Sequence, residues 1–531
     1  MRKHVIITIL LLIATALITT IYFKNLSPPG TRTGKILSTI PNNAALIFEY
    51  NNEKGFYEIF NNNKVLPAII GQRQMDELDI LRKILLLNPL LEPFFSGQNI
   101  FVSFHPSKAR GVELLLTASA TNNFEPAALE ELAKQSNSGL VATPLLIAGK
   151  QGYTLYIGAL KKRFYIINTQ QNIFSGSFSK ELIGESSAFK SQRDKEDFVL
   201  LPQQQNINSL ANLYVNYNQL SALLQQIFQN KSTDIFKSFS FLPALAALSL
   251  NYKNDALMFN GLSYIQTNKL PGYLNLFTGQ KPVTNRLKEI FPSTTAYCMS
   301  FAVSDPLKFE DDLSKWHIKT GLETEKGRLF KKIKAETGIS LKAEFRTLLA
   351  NEFAVVTTRY HEKIAIIAVK DGSKLRPFMM NVSKAVNDNM GEFNYDKLPF
   401  FLLGDEFSFF KHPFYLIADN YLILANSARE LTSYYDAYIN RKFLSKTGPY
   451  NEFNELLSDR CNVSFFINFK NAGPILKNDV KASESEAIDN NEPGWKNFYA
   501  ASYQLTAADN NFYTNLCMRL NTDTLQLNRS K

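Results

Sequence analysis

Short apolar runs, rich in aromatic and β-branched residues, recur along the chain between clusters of Asn, Asp, Gly and Pro. Such runs predict strands bounded by turns. Leu213-Tyr214-Val215-Asn216-Tyr217 and Phe465-Phe466-Ile467-Asn468-Phe469 are of this kind, and two hairpins are expected at 248–265 and 502–520, turning at Lys253-Asn254-Asp255 and Asp509-Asn510-Asn511. Helical spacing of apolar positions appears in 219–228 and 307–316. Hairpin-like pairs outnumber strand-helix-strand alternation, so the pattern predicts an α+β fold of largely antiparallel sheets with helices on one face.

The same pattern occurs twice. Pro41 to Tyr50 can be laid over Pro292 to Phe301, Asn99-Ile100-Phe101-Val102 over Asn351-Glu352-Phe353-Ala354, and Val112-Glu113-Leu114-Leu115-Leu116 over Ile364-Ala365-Ile366-Ile367-Ala368, each at a shift of about 251 positions. Phe164 to Ile167 resembles Tyr421 to Leu424, and Leu213 to Tyr217 overlies Phe465 to Phe469. Preserved order at nearly constant spacing points to a tandem duplication. The expected organisation is a tip and transmembrane anchor at 1–24, a spacer at 25–34, a first repeat at 35–265, a linker at 266–285, a second repeat at 286–522 and a tail at 523–531.

The N-terminus sets the expected compartment. Behind Arg2, Lys3 and His4, residues 5–23 carry no charge. At about 1.5 Å per residue such a run is just long enough to cross a ~30 Å hydrocarbon layer as a helix. Ala14-Thr15-Ala16 would suit signal cleavage, yet the apolar run continues to Phe23, which favours an uncleaved anchor. The short basic end would stay cytoplasmic. The bulk of the chain is then expected outside the bacterial inner membrane, in the periplasm, with the bilayer itself as a partner through residues 5–23.

The turn Ile40-Pro41-Asn42 before an alternating strand, the helix ending Phe94-Phe95-Ser96-Gly97, the Gly279-Gln280-Lys281-Pro282 link and the N-terminal apolar run together resemble a bacterial membrane-anchored family. It is the domain of unknown function numbered thirty-three fifty-two. The resemblance implies the architecture and no activity, ligand or catalytic residue.

Composition narrows the partners. A net charge of +10 would suit an acidic partner. The basic runs Lys161-Lys162-Arg163 and Lys331-Lys332 are isolated among apolar residues, however, and no continuous stripe exists to track nucleic acid. Cys298, Cys461 and Cys517 show no CxxC or metal spacing and read as small buried residues, with at most one bridge among them.

The search for chemistry returns fragments. A penicillin-binding type of serine site would need a serine three residues before a lysine, an SxN element and a KTG strand. Ser177 and Lys180, Ser187 and Lys190, Ser249-Leu250-Asn251, Lys319-Thr320-Gly321 and Lys446-Thr447-Gly448 all occur, but the second KTG is expected in a loop before Pro449 and Ser249 within an apolar strand. His4, His105, His317, His361 and His412 are dispersed, with His361 expected at a hairpin tip. Carboxylate pairs at Glu130-Glu131 and Asp311-Asp312 fall on expected helices facing water. Phe407 to Phe410 and Phe414-Tyr415 could line a groove for a lipid or glycan, though such runs more often fill a sheet core.

No catalytic, cofactor-binding or metal-ligating residue is therefore assigned, no cofactor is implied, and an enzyme is not expected. The leading expectation is a non-catalytic scaffold or binding module of the cell envelope with a protein or lipid partner. A carrier of a hydrophobic envelope ligand comes second and an envelope-polymer hydrolase third.

Overall fold

The turn Asp509-Asn510 shows how local chemistry sets this fold. Both residues adopt positive φ, 45° and 64°, which short polar side chains tolerate and which matches the twist of a two-residue hairpin. The turn joins two long strands, and pairings of that kind run through the whole chain. The computed structural model describes residues 31–521 apart from several short segments, the longest being 189–208, 230–238 and 482–494.

Among the described residues, ten strands precede the middle of the chain: β1 (Leu46–Asn51), β2 (Asn99–Ser107), β3 (Gly111–Ser119), β4 (Leu140–Ile147), β5 (Lys150–Ile157), β6 (Lys162–Gln170), β7 (Ile173–Ser177), β8 (Ala211–Asn216), β9 (Ala244–Lys253) and β10 (Ala256–Ile265). Ten follow in the same sheet: β11 (Thr295–Ala302), β12 (Leu349–Thr358), β13 (Lys363–Val369), β14 (Ser383–Ala385), β15 (Met390–Phe393), β16 (Phe414–Ala418), β17 (Tyr421–Ala425), β18 (Val463–Asn468), β19 (Phe498–Ala508) and β20 (Asn511–Leu520). The first ten pair in the order β4-β5-β6-β7-β3-β2-β1-β8-β9-β10. The second ten repeat that order strand for strand, as β14-β15-β16-β17-β13-β12-β11-β18-β19-β20. Each strand runs antiparallel to its neighbours.

The two sets meet edge to edge. β10 pairs with β20 over eight residues, from Ala256 opposite Arg519 to Ser263 opposite Phe512, and closes the twenty strands into one sheet. A buried polar cluster fastens the seam: Ser263 Oγ lies 2.7 Å from Thr514 Oγ1 and 2.9 Å from the Tyr217 hydroxyl, which also bonds Tyr503. At its end Arg519 reaches Asp255 at 2.9 Å and Glu452 at 2.8 Å.

Both faces of the sheet are covered. On β13, Ala365 and Ile367 belong to one cluster while Ile364 and Ile366 belong to another, and on β17 Leu422 and Leu424 oppose Ile423 and Ala425 in the same way. The period of two along a strand dictates this division. The face carrying Ala365, here the inner face, receives the helices Pro306–Lys319, Glu323–Thr337 and Leu341–Leu348. The outer face receives Ala428–Ile439 and Gly448–Asn454 in the second half and Thr31–Leu37 in the first.

These observations correct the expected fold class. The chain is α+β and antiparallel, but it forms one continuous sheet rather than two separate sheet domains, and helices lie on both faces rather than one. The physical reason is that strands such as Ile364 to Ala368 are apolar at every position, so each side needs a cover. Within the expected linker 266–285, Tyr273, Leu274 and Phe277 are buried, and the Tyr273 hydroxyl donates to Leu403 O at 2.6 Å. Among the described residues no helix is long and apolar enough to cross a membrane, and the segment 5–23, expected as a spanning helix, lies outside them.

Candidate functional site

The connections β1-to-β2 and β11-to-β12 occupy the same place in the two halves, yet they cover the inner face differently. In the second half the connection forms helices of 14, 15 and 8 residues. The first of these is capped by Asp305, whose Oδ1 accepts from the backbone N–H groups of Leu307 and Lys308 at 3.0 Å. Phe309, Trp316 and Phe345 point into the sheet. Phe277, Phe301, Phe309, Phe353 and Phe407 are all fully buried, with ring centroids 5.1 to 5.8 Å apart along the chain of contacts. The space left between these helices and Phe401 is about 20 Å³.

In the first half the connection breaks into shorter pieces: Lys54–Asn61, Val65–Ile70, Gln72–Leu81, a π-helical turn Arg82–Leu86 and Glu92–Phe95. Gly71, with φ of 90°, opens the helix Gln72–Leu81 without a side-chain cap. These pieces roof a cavity of about 1310 Å³. Phe48, Val102, Leu116, Ile166, Phe259 and Leu516 form its floor, and Phe56, Ala68, Met75, Leu78, Leu85 and Phe95 are in the roof and walls. Leu516, Met518 and Leu520 come from β20, so the second half completes the floor.

The cavity is open to solvent on one side rather than enclosed. Water can enter, because Gln72, Gln74, Asp76 and Lys83 are exposed and place an opening along the helix Gln72–Leu81. Few polar groups are there to receive it. Thr117 and Ser175 face one another at 3.4 Å, and Asp79, Arg82, Tyr50 and Tyr57 gather on one side. The Tyr50 ring stacks on Phe56 at 4.4 Å, and burial pushes the Tyr50 and Tyr57 hydroxyls above their usual range. The lining suits hydrocarbon with one polar end.

The serine fragments do not converge. Ser177 Oγ donates to Leu114 O at 2.7 Å at the end of β7, and Ser187 Oγ donates to Ile147 O at 2.9 Å from the helix Lys180–Ala188. Lys180 is exposed, and Lys190 lies outside the described residues. Ser249 sits in β9 and bonds Asn212 Oδ1 at 3.1 Å, while Asn251 bonds Asn260. Lys319-Thr320-Gly321 ends a helix in the second half. Lys446-Thr447-Gly448 passes from a 3-10 turn into the helix Gly448–Asn454, which corrects the expected loop. One arrangement that sequence reading missed has hydrolase-like order: Ser103 Oγ lies 2.8 Å from His105 Nε2, and His105 Nδ1 lies 2.7 Å from Asn43 Oδ1. Ser103 and His105 are 0% and 1% exposed, and the Ser103 hydroxyl donates to Leu115 O, so no substrate reaches the oxygen.

The other flagged residues also fall into structural places. Glu130 accepts from the Tyr153 hydroxyl at 2.9 Å, and Asp312 pairs with Lys308 and Lys315. His361 occupies the tip between β12 and β13 with φ of 64°, and His412 is exposed. His4 lies outside the described residues, among which no group of three or more His, Cys, Asp and Glu could hold a metal. Cys298, Cys461 and Cys517 are free and buried, and burial pushes each thiol up to about 12. Phe407 and Phe410 are fully buried in the second half and take no part in the cavity.

His317 makes a measurable prediction. It is fully buried, Lys326 Nζ donates to its Nδ1 at 3.2 Å, and burial together with the Lys326 charge holds the imidazole down to about 3. The unfolded chain protonates this group near pH 6.5. Between pH 6.5 and 3 the unfolded state therefore binds one more proton, and stability falls as the pH is lowered, by up to about 1.4 kcal/mol per pH unit. Urea titrations at pH 7 and pH 5 should show this loss in the native chain and a flatter dependence in His317→Gln.

No family model and no curated protein matches the chain. Among solved structures it matches the chain titled "Structure of crystal form III of TP0453" at 13% identity, over 47% of this chain and 89% of that one, with a TM-score of 0.24. A score that low carries no argument about fold or function.

Proposed function

We propose that the protein is a binding protein for an amphiphile of the bacterial cell envelope, with the ligand's hydrocarbon held in the first-half cavity. The observation that carries this reading is the contrast between a cavity of about 1310 Å³ under one copy of the β1-to-β2 connection and the fully buried, mutually packed rings of Phe277, Phe301, Phe309 and Phe353 under the other. One strand order supports both halves, and their inner-face roofs differ. Each methylene moved from water into such a space contributes about 0.8 kcal/mol, so a long chain gains more there than a compact polar molecule. A scaffold has no use for the space, and the carrier therefore takes precedence over it.

The location belongs to the same proposal. It rests on the uncharged run at 5–23 behind Arg2 and Lys3, and membrane fractionation of the producing cell checks it. The binding reading is tested by gently purifying the full chain and analysing it intact by native mass spectrometry. A bound chain-bearing lipid near one equivalent, released by organic solvent, is the expected result. Protein that carries none, and takes up none from mixed envelope lipids, would sink the reading.

A further inference from the structure

We infer that the ligand's headgroup is anionic and that Arg82 receives it, an inference that rests on the cavity reading above. Arg82 begins the π-helical turn Arg82–Leu86 and lies in the cavity wall with its side chain only 13% exposed. Its guanidinium sits 4.3 Å from the centroid of the Tyr57 ring, and Nη2 donates to Asp79 Oδ1. Its Nε is shut off from solvent and has no hydrogen-bond partner. A guanidinium carries five N–H donors and keeps its charge; Nε is closed to water and cavity alike, so the donors that can meet an incoming oxygen are those on the 13% of the side chain that remains exposed.

The lining holds two acids, Asp76 and Asp79, and two bases, Arg82 and Lys83, but they are not equally placed. Asp79 is answered twice, by Arg82 and by Lys83 Nζ at 2.7 Å, and this trio keeps one positive charge unmatched. Asp76, the other acid in the lining, is exposed and accepts from Gln72 Nε2 at 2.8 Å. The Tyr57 hydroxyl is already committed to Asn52 Oδ1 at 2.6 Å, so the ring supports the arginine and its oxygen leaves the anion to it. Carboxylate and phosphate both offer the paired oxygens that a guanidinium fork accepts. A fatty acid and an acidic phospholipid share that chemistry.

The test compares matched probes on the delipidated full chain. Palmitate against hexadecanol, and phosphatidylglycerol against diacylglycerol, differ at the headgroup while keeping the hydrocarbon. In the native protein the anionic member of at least one pair should bind about tenfold tighter, as one charge-assisted hydrogen bond implies; the pair that shows the gap identifies carboxylate or phosphate. Arg82→Gln should erase that gap, bringing the anionic probe down to the affinity of its neutral partner. Arg82→Lys, which keeps the charge and loses the fork, should retain part of it, and serves if the glutamine variant fails to fold. Equal binding within both pairs, or a gap that survives in both variants, overturns the role of Arg82 while leaving the cavity reading intact. Failure of all four probes to bind overturns the cavity reading as well.

Discussion

Truncation of Phe353 to alanine should remove about 3–5 kcal/mol of stability, as measured by urea unfolding of the ligand-free protein. The ring is fully buried between Phe301, Phe309 and Phe407, at centroid distances of 5.3, 5.4 and 5.8 Å. Removing it loses both its transfer free energy and its neighbours' contacts, because a close-packed surround relaxes only in part. Phe48→Ala, on the inner face of the first half, should cost less than half as much, since that ring already borders open space. Equal losses at the two positions would mean that the halves are packed alike, and the contrast on which the function rests would be gone.

The opposite change belongs in the first half. Ala118→Trp and Leu116→Trp place an indole on the cavity floor, where there is room for it without the strain that overpacking usually brings. Each should raise the stability of the ligand-free protein by about 1 kcal/mol, as cavity-filling substitutions commonly do. Each should also lower the amount of co-purified lipid at least tenfold, read from the same native mass spectra. A variant that is more stable and still fully loaded would place the ligand elsewhere.

Much of the strand framework was legible, because turns such as Asp509-Asn510 and runs such as Tyr421 to Ala425 announce themselves locally. Register was not. Laying Val112 over Ile364 sets Leu114 against Ile366, yet Leu114 faces the cavity on the inner side while Ile366 belongs to the outer cluster. Phe101 and Phe353 fall on opposite faces in the same way. The pairings relate Ile100 and Phe353 instead, and a slip of one residue reverses every side chain. The single sheet was hidden for a related reason: two end hairpins can be read from their turns, but nothing local in 256–265 says that its free edge meets 511–520.

The cavity was the least legible feature. Emptiness is a relation between roof and floor, and neither the helical spacing of 307–316 nor the helix ending at Phe94-Phe95 says how far its element stands from the sheet. What separates the two roofs is side-chain bulk and helix length, with Ala68 and Met75 in one where Phe309 and Trp316 fill the other. The run Ile84 to Leu91 was the available signal, since Leu85, Leu86 and Leu91 line the cavity while Leu87 and Leu90 remain about 40% and 38% exposed. Of the aromatic runs that drew attention, Phe407, Phe410 and Tyr415 are buried in the solid half.

If the cavity takes the proposed ligand, the seam between β10 and β20 would make loading a late event in the life of the chain. Leu516, Met518 and Leu520 finish the floor, and they belong to the twentieth strand of the sheet to emerge from the ribosome. Until that strand arrives, β10 offers an open edge and the basin beside it has no rim. The proposed lipid would then be retained only once both copies have been made and joined, which would couple its acceptance to completed assembly of the protein.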